Sequence, residues 1–356
     1  MKPPLVASPV GGVCMTGQRL PMAEKASANT PQKSTQISSA IATHPSHVSS
    51  RPSQERKRLP EWFRTRLPSG ETLAIFNETS ETVKEHALNT VCQEARCPNI
   101  HECWSSGDAT FMIAGQECTR GCRFCAVGTI KTPLPLDQNE PAELSDAIEL
   151  MKLRHAVITV VNRDDLDDSG ADHYKQCLIA IHEKSPDVTL ELLCSDLAGD
   201  HTALAHLLSD LYLDVFAHNV ECVPRLDKLV RDNRASFPQS LDILRQAKIL
   251  RPDILTKSSI MVGLGETDEE VNEAMQMLFD AGVELITIGQ YLAPSKKHFP
   301  IDRFPTPEQF GKWEKFAKKI GFLGVASGPM VRSSYKAGRL LAKARNNDAV
   351  KKRDNA

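Results

Sequence analysis

The sequence has no run of eighteen consecutive apolar residues, so no transmembrane helix is predicted. A secretory h-region is missing too, because Pro, Gly and charged residues break the apolar stretches near the N-terminus. Net charge is nearly absent at −2, which gives no support for a nucleic-acid binder. That value conceals an asymmetry: residues 1–60 hold eight Lys/Arg against two acids, and the remaining 296 carry −8. An acidic body is a poor match to a phosphate backbone, which is bound through Lys and Arg. No internal repeat with a clear motif is present. Neither nucleic acid nor membrane is therefore expected among the partners.

What the chain does have is cysteine, ten in 356 residues. With no secretory signal, such clustering reads as metal binding or catalysis in a reducing compartment rather than a disulfide framework. Six of the ten form two triplets, Cys92/Cys97/Cys103 and Cys118/Cys122/Cys125. The second reads E-C-T-R-G-C-R-F-C, a C-x3-C-x2-C spacing. Three thiolates on one tight loop hold three irons of a [4Fe–4S] cube and leave the fourth open to a substrate. The amino and carboxylate groups of S-adenosylmethionine suit that open iron; a fourth cysteine would close it. A zinc knuckle needs a fourth Cys or His, and only His101 is near. A redox dithiol at Cys122/Cys125 leaves the third cysteine without a role. The first triplet, C-x4-C-x5-C, ends 15 residues before the second begins. It predicts another cluster, one iron of which needs a ligand from elsewhere in the chain. Cys14, Cys177, Cys194 and Cys222 lack metal spacing, and Cys177 is expected to pack in a helical core.

Residues 1–57 are rich in Ser, Thr, Pro and Ala and are expected to form a disordered leader, since they offer little apolar surface to offset ordering. A mitochondrial transit peptide is the alternative, weakened by having only Arg19 before Arg51. A cytoplasmic location is expected, a mitochondrial one if the leader is a transit peptide. From Leu59 the pattern is globular. Predicted strands are Phe111–Ala114, Ala156–Val161, Thr189–Leu193, Leu213–Ala217, Lys257–Val262 and Glu284–Ile288. Helices are predicted near Ala142–Lys152, His173–Glu183, His201–Ser209, Gln239–Lys248 and Asp268–Asp280, the last with a Thr267/Glu270 capping box. Another starts at Thr306 with Pro307 in its first turn.

Six strands separated by helices imply right-handed βαβ units and a parallel sheet. The expected fold is α/β, a partial (β/α)6 TIM-like barrel, because too little chain follows Cys118 for eight units. Residues 58–110 would be an N-terminal extension holding the auxiliary cluster, and 111–328 the barrel. Residues 329–356 would be a C-terminal segment ending in a frayed tail, KARNNDAVKKRDNA. Chemistry in such folds collects at the C-terminal ends of strands. The polar residues there are Asn162-Arg163-Asp164-Asp165, Cys194-Ser195-Asp196, His218-Asn219 and Gly289-Gln290. From these loops and their neighbours, Arg163, Asp164, Asn219, Glu221 and Lys257 are candidates for cofactor binding.

The two triplets combine with R-S-S-Y-K-A (Arg332–Ala337) and with the stretches VNRDDL, HNVECVPRL, TKSSIMVGLGET, TIGQYL and ASGPMVRSSY. On these residues the chain resembles the lipoyl synthase family of radical S-adenosylmethionine enzymes over about residues 60–345. The resemblance implies two [4Fe–4S] clusters and S-adenosyl-L-methionine as cofactors. The cluster on Cys118, Cys122 and Cys125 would cleave S-adenosylmethionine reductively. The resulting radical would remove hydrogen from carbons 6 and 8 of a protein-bound octanoyl chain. The cluster on Cys92, Cys97 and Cys103 would be the sulfur donor, consumed in the reaction, with a serine of R-S-S-Y as its remaining ligand. Ser334 is the expected serine, with Ser333 as the fallback. An octanoylated lipoyl domain or carrier protein, a low-potential electron donor such as ferredoxin or flavodoxin, and an iron–sulfur cluster carrier are the implied partners. The chain departs from the family pattern at Asp167, Ser169, Ser259 and Cys222, none of them a cluster ligand. A biotin-synthase-like enzyme, the alternative, shares the second triplet and the barrel but lacks the first triplet and R-S-S-Y. A ferredoxin-like electron carrier would close its clusters with four cysteines and need no barrel.

Overall fold

The alternating apolar runs become parallel strands in the computed structural model, which describes residues 59–63, 69–85, 90, 93, 97, 99–106 and 108–354, with side chains to 349. The predicted leader, Cys14 and Cys92 lie outside the described residues. Helices α1 (Glu71–Glu85) and α2 (Ile100–Trp104) precede β1 (Asp108–Ile113), β2 (Glu117–Cys118) and β3 (Gly128–Thr129). Then follow α3 (Glu140–Leu150), β4 (His155–Val160), α4 (Ala171–Lys184), β5 (Thr189–Leu193), α5 (His201–Leu208), β6 (Val215–Ala217), α6 (Asp227–Val230) and α7 (Phe237–Leu250). The chain ends with β7 (Leu255–Val262), α8 (Asp268–Asp280), β8 (Leu285–Gln290), α9 (Pro307–Ile320), β9 (Gly324–Gly328) and α10 (Ala337–Asp354).

The main sheet runs β1-β4-β5-β6-β7-β8-β9, and every neighbouring pair is parallel. Each crossover advances one strand in the same direction, as expected of a barrel that remains open between its edge strands β1 and β9. All six predicted strands are present. The capping box is realised on both sides: Thr267 Oγ1 accepts from Glu270 N at 3.2 Å, and the Glu270 carboxylate accepts from Thr267 N at 2.8 Å.

Two differences from the sequence reading have physical causes. A seventh strand, β9, has the sequence Gly-Val-Ala-Ser-Gly and so carries no apolar run. Its smallness is a packing requirement, since a Cβ on Gly324 would stand 2.6 Å from Leu285 Cδ2. As far as Asp354 the expected frayed tail is instead part of α10, and that expectation is corrected. Leu340, Leu341 and Ala344 share one helical face and pack with Val215, Leu285 and Leu323 under the barrel. Arg345 pairs with the buried Asp214, and Asn347 Nδ2 donates to the Leu323 carbonyl at 2.8 Å.

Strand alternation places Asp108 and Thr110 of β1, His155 of β4, Glu191 of β5, Lys257 of β7 and Gly289 of β8 on one inward face. Their outward neighbours, such as Phe111, Ile158, Leu192 and Ile288, are buried in the main core.

Candidate iron–sulfur centres

Cys118 ends β2, whose two-residue ladder with β3 closes the base of a loop holding Cys122 and Cys125. The Cys118 carbonyl accepts from Ile130 N at 3.0 Å, and the Cys122 carbonyl from Cys125 N at 3.1 Å. Neighbouring loops hold this one from several sides. Arg123 N donates to the Val230 carbonyl and Phe299 N to the Arg123 carbonyl, both at 2.8 Å. His298 Nε2 donates to the Cys125 carbonyl at 3.0 Å, with Nδ1 2.8 Å from Ser295 Oγ. Gly121 N donates to Asp232 at 2.8 Å.

The strongest brace is Arg120, 4% exposed, which reading the motif for its cysteines alone missed. Its Nε and Nη2 face Asp164, Nη2 at 2.6 Å, while Nη1 lies 2.7 Å from Asp196. Burial alone would raise both carboxyls, but hydrogen bonds from Arg120 hold them below the ordinary carboxylate range. Thr119 Oγ1 donates to Asp164 at 2.6 Å, and Gln239 Nε2 to Asp196 at 2.8 Å. An arginine between two cysteines of one loop was the available signal: once buried, its charge requires carboxylates, and strand ends supply them.

The sequence candidates fall in three places. Asp164 braces the cysteine loop through Arg120, whereas Arg163 is buried, pairs with Asp165 at 2.8 Å and donates to the Ala114 carbonyl at 3.2 Å. Asn219 and Glu221 are half-buried beside the loop, and Glu221 has a left-handed backbone (φ 67°) between β6 and β7. The Glu221 carboxyl is raised by burial and accepts a hydrogen bond from Asn219. Lys257 is far down its strand, 2.7 and 2.9 Å from the two carboxylate oxygens of Glu191 inside the barrel.

Cys97 and Cys103 line one cavity with Ser334; Ser333 does not line it. Asp108 and Thr110 contribute the β1 wall, and Arg332 closes another side. Arg332 Nη1 donates to the Gln290 carbonyl at the end of β8 at 2.9 Å, and its guanidinium also bonds the Cys97 thiol. The segment after β9 thus returns along the inward faces of β8 and β1 to meet the N-terminal cysteines. Arg332 and Asp108 were not foreseen. Asp108 is buried with an Oδ2 that has no hydrogen-bond partner, and burial raises its carboxyl.

Both places fit iron–sulfur ligation on donor chemistry. Backbone N–H groups point at the sulfurs: Arg120 N and Asn162 N at Cys118 Sγ (3.4 and 3.3 Å), and Asp232 N at Cys122 Sγ (3.3 Å). Such donors favour thiolate. Burial pushes the Cys122 and Cys125 thiols up to about 12 and about 11, with the nearby Glu221 charge adding to the rise. A cation at the loop would reverse that balance, as metals do for coordinating thiols. Cys177 packs in a helical core as expected, and Cys222 is buried too.

Residues 112–278 match the radical SAM superfamily, and residues 26–97 match the N-terminal domain of lipoyl synthase of the radical SAM family. The chain is 47% identical over 294 residues to the mitochondrial lipoyl synthase of Xenopus laevis, covering 81% of this chain and 78% of that one. It is 49% identical over 286 residues to the lipoyl synthase of Halorhodospira halophila, covering 80% and 84%. Among solved structures, the FeFe-hydrogenase maturase HydG from Carboxydothermus hydrogenoformans shares the fold. It matches with a TM-score of 0.51 at 13% identity, covering 77% of this chain and 68% of that one.

Proposed function

The chain belongs to the lipoyl synthase family of radical S-adenosylmethionine enzymes, and from that premise we propose how its residues divide the reaction. Cys118, Cys122 and Cys125 hold the [4Fe–4S] cluster that takes S-adenosylmethionine. Cys92, Cys97, Cys103 and Ser334 hold the auxiliary one. When bound at Cys118, Cys122 and Cys125, the first cluster would supply the electron for reductive cleavage of S-adenosylmethionine, and the second would be the source of two sulfurs for carbons 6 and 8 of an octanoyl chain on a carrier domain. The single observation that supports this division most is the shared cavity of Cys97, Cys103 and Ser334.

The protein's own groups have separable tasks. Arg120, Asp164 and Asp196 fix the cysteine loop, so that the open position faces a constant direction. Asn219 and Glu221, beside Cys122 and Cys125, are the residues best placed to contact the cofactor's polar groups. Arg163 ties the end of β4 to the end of β1, and Lys257 neutralises Glu191 within the barrel. Ser334 offers an oxygen ligand, which releases iron more readily than a thiolate; a cluster that gives up sulfur must come apart. Electrons would come from a low-potential carrier such as ferredoxin or flavodoxin, and replacement iron and sulfide from a cluster carrier. A cytoplasmic location is proposed; relatives include mitochondrial and bacterial enzymes, and imaging residues 1–57 fused to a fluorescent protein decides between them.

Anaerobic reconstitution tests the reading. About eight irons per chain, and lipoyl-peptide formed from an octanoyl-lysine peptide with reductant and S-adenosylmethionine, are expected. Ser334→Ala should lose sulfur insertion while still releasing methionine, and Ser333→Ala should lose neither. Methionine release without sulfur insertion by the unaltered protein, or equal activity of Ser334→Ala, would sink the assignment.

A further inference from the structure

The cavity that receives Ser334 is assembled from two segments more than 200 residues apart, and protein contacts already join them. Asn99 Nδ2 donates to the Met330 carbonyl at 2.5 Å. The Tyr335 hydroxyl donates to Glu102 Oε2 at 2.8 Å, and Lys336 Nζ lies 2.5 Å from Glu102 Oε1. These contacts flank the proposed ligands along both segments: Asn99 and Glu102 lie between Cys97 and Cys103 on one side, and Met330, Tyr335 and Lys336 stand on either side of Ser334 on the other. Ser334 is therefore bracketed, by Asn99 upstream and Glu102 downstream.

The two brackets differ in character. Asn99 is 4% exposed, so its bond to Met330 is shielded and costly to leave unmade. The Glu102 side chain is 51% exposed, where an ion pair contributes little and opens readily. Lys336 has a left-handed backbone (φ 50°), a conformation its surroundings must maintain.

We propose that Glu102 is a positioning residue: through Tyr335 and Lys336 it keeps Ser334 at the cavity when no cluster is bound. A consumed auxiliary cluster is then replaced without reordering the C-terminal segment. The fixed Asn99 side acts as the hinge and the Glu102 side as the latch. The inference rests on the assignment of Ser334 and of a consumed cluster made above.

The test uses the full chain freed of clusters by chelation, so that no metal holds the segment. Hydrogen exchange of peptides covering 329–337 is compared in the unaltered protein, Glu102→Ala and Glu102→Gln. Exchange there should quicken about two- to fivefold in Glu102→Ala and less in Glu102→Gln, whose amide oxygen still accepts from Tyr335. On rebuilding with ferrous iron and sulfide, auxiliary iron should return more slowly in Glu102→Ala. The Cys118/Cys122/Cys125 cluster, followed by 5′-deoxyadenosine release, should return at the usual rate. Should Glu102→Ala fail to fold, Tyr335→Phe/Lys336→Met removes both donors and leaves α2 intact; the same acceleration is expected. Unchanged exchange across 329–337 in a folded variant overturns the latch. If Ser334→Ala keeps full iron and sulfur insertion, the ligand assignment falls instead, and the exchange comparison still decides the latch.

Discussion

The backbone carbonyl oxygen of Val331 lies 2.0 Å from the point that a Cβ on Gly289 would occupy. No side chain fits between β8 and the returning C-terminal segment, and the clash is with backbone rather than with a flexible side chain. Strand β8 is hydrogen-bonded on both sides, to β7 and β9, so in Gly289→Ala the segment carrying Ser334 is the part that yields. We expect iron to fall from about eight to about four per chain and sulfur insertion to drop about 10–100-fold. Methionine release should continue. Iron counting and product assay on the purified variant check this, and full iron with full sulfur insertion would refute it.

Arg120 makes a second prediction. Its replacement by methionine keeps most of the volume but takes the shared cation from Asp164 and Asp196, 15% and 1% exposed, leaving Arg234 Nη1 3.3 Å from Asp164. Removing one partner of a buried ion network costs about 3–5 kcal/mol, because the remaining charges stay desolvated. In the unaltered protein both folded carboxyls lie below their ordinary value, so their contribution is present above the unfolded value and is lost as pH falls through the folded one. In Arg120→Met the sign reverses, and stability should improve as pH drops from neutral towards 5. Urea unfolding at both pH values measures it; equal stability of the two proteins at neutral pH counts against the brace.

The barrel was legible in the sequence because its strands are apolar and alternate with helices bearing their own start signals, such as Thr267 with Glu270. Strand β9 was not, since the close approach of Leu285 demands glycine where a strand signal would otherwise stand. The helix α10 was hidden by its charges, which outnumber the three residues, Leu340, Leu341 and Ala344, that seat it. The cysteine spacings and R-S-S-Y pointed to both candidate centres, but spacing carries no information about what holds them. Arg120, Asp196 and Arg332 act through partners distant in sequence, and Asp108 reaches the cavity of Cys97 and Cys103 only in the folded chain. Lys257 illustrates the converse: a polar residue in a strand near candidate site loops, whose partner proves to be a buried glutamate.

That pairing gives a third prediction. Lys257 is 1% exposed, and so is Glu191, with His155 Nε2 3.8 Å from the same carboxylate. Burial would raise the Glu191 carboxyl, yet the Lys257 charge holds it below its ordinary value. Lys257→Met should therefore destabilise the barrel by about 3–5 kcal/mol, whereas Lys257→Met/Glu191→Leu should recover most of the loss. The double variant should also bind S-adenosylmethionine with unchanged affinity, because Lys257 lies towards the N-terminal end of β7 and Glu191 in the middle of β5, both short of the C-terminal strand ends. Calorimetric titration tests that point, and a large loss of affinity in the stable double variant would return Lys257 to the cofactor site.

His218 supplies the last prediction. It is buried at the end of β6, with Nδ1 2.9 Å from the Cys194 carbonyl and Nε2 2.8 Å from Ser240 Oγ. The carbonyl can only accept, so Nδ1 carries the hydrogen and Nε2 accepts from the serine hydroxyl. Ser240 Oγ already accepts from Arg231 Nη2 at 2.9 Å, so a second proton on the ring would meet a donor and a like charge. Burial, reinforced by Arg231 and Arg120 against the opposing charge of Asp196, lowers the ring to about 4. An unfolded histidine titrates near 6.5. Between those values the unfolded chain takes up a proton that the fold refuses, so stability is complete above 6.5 and declines as pH falls towards 4. The loss attributable to this group is about 3 kcal/mol at the lower limit, and none is added below it. His218→Gln should be less stable at neutral pH, because its geometry is poorer, but should lack this share of the decline. Urea unfolding of both proteins at several pH values from 7 to 4.5 gives the two slopes directly. Parallel slopes would mean that the ring takes up its proton within the fold, and that the Cys194 carbonyl and Ser240 do not hold it neutral.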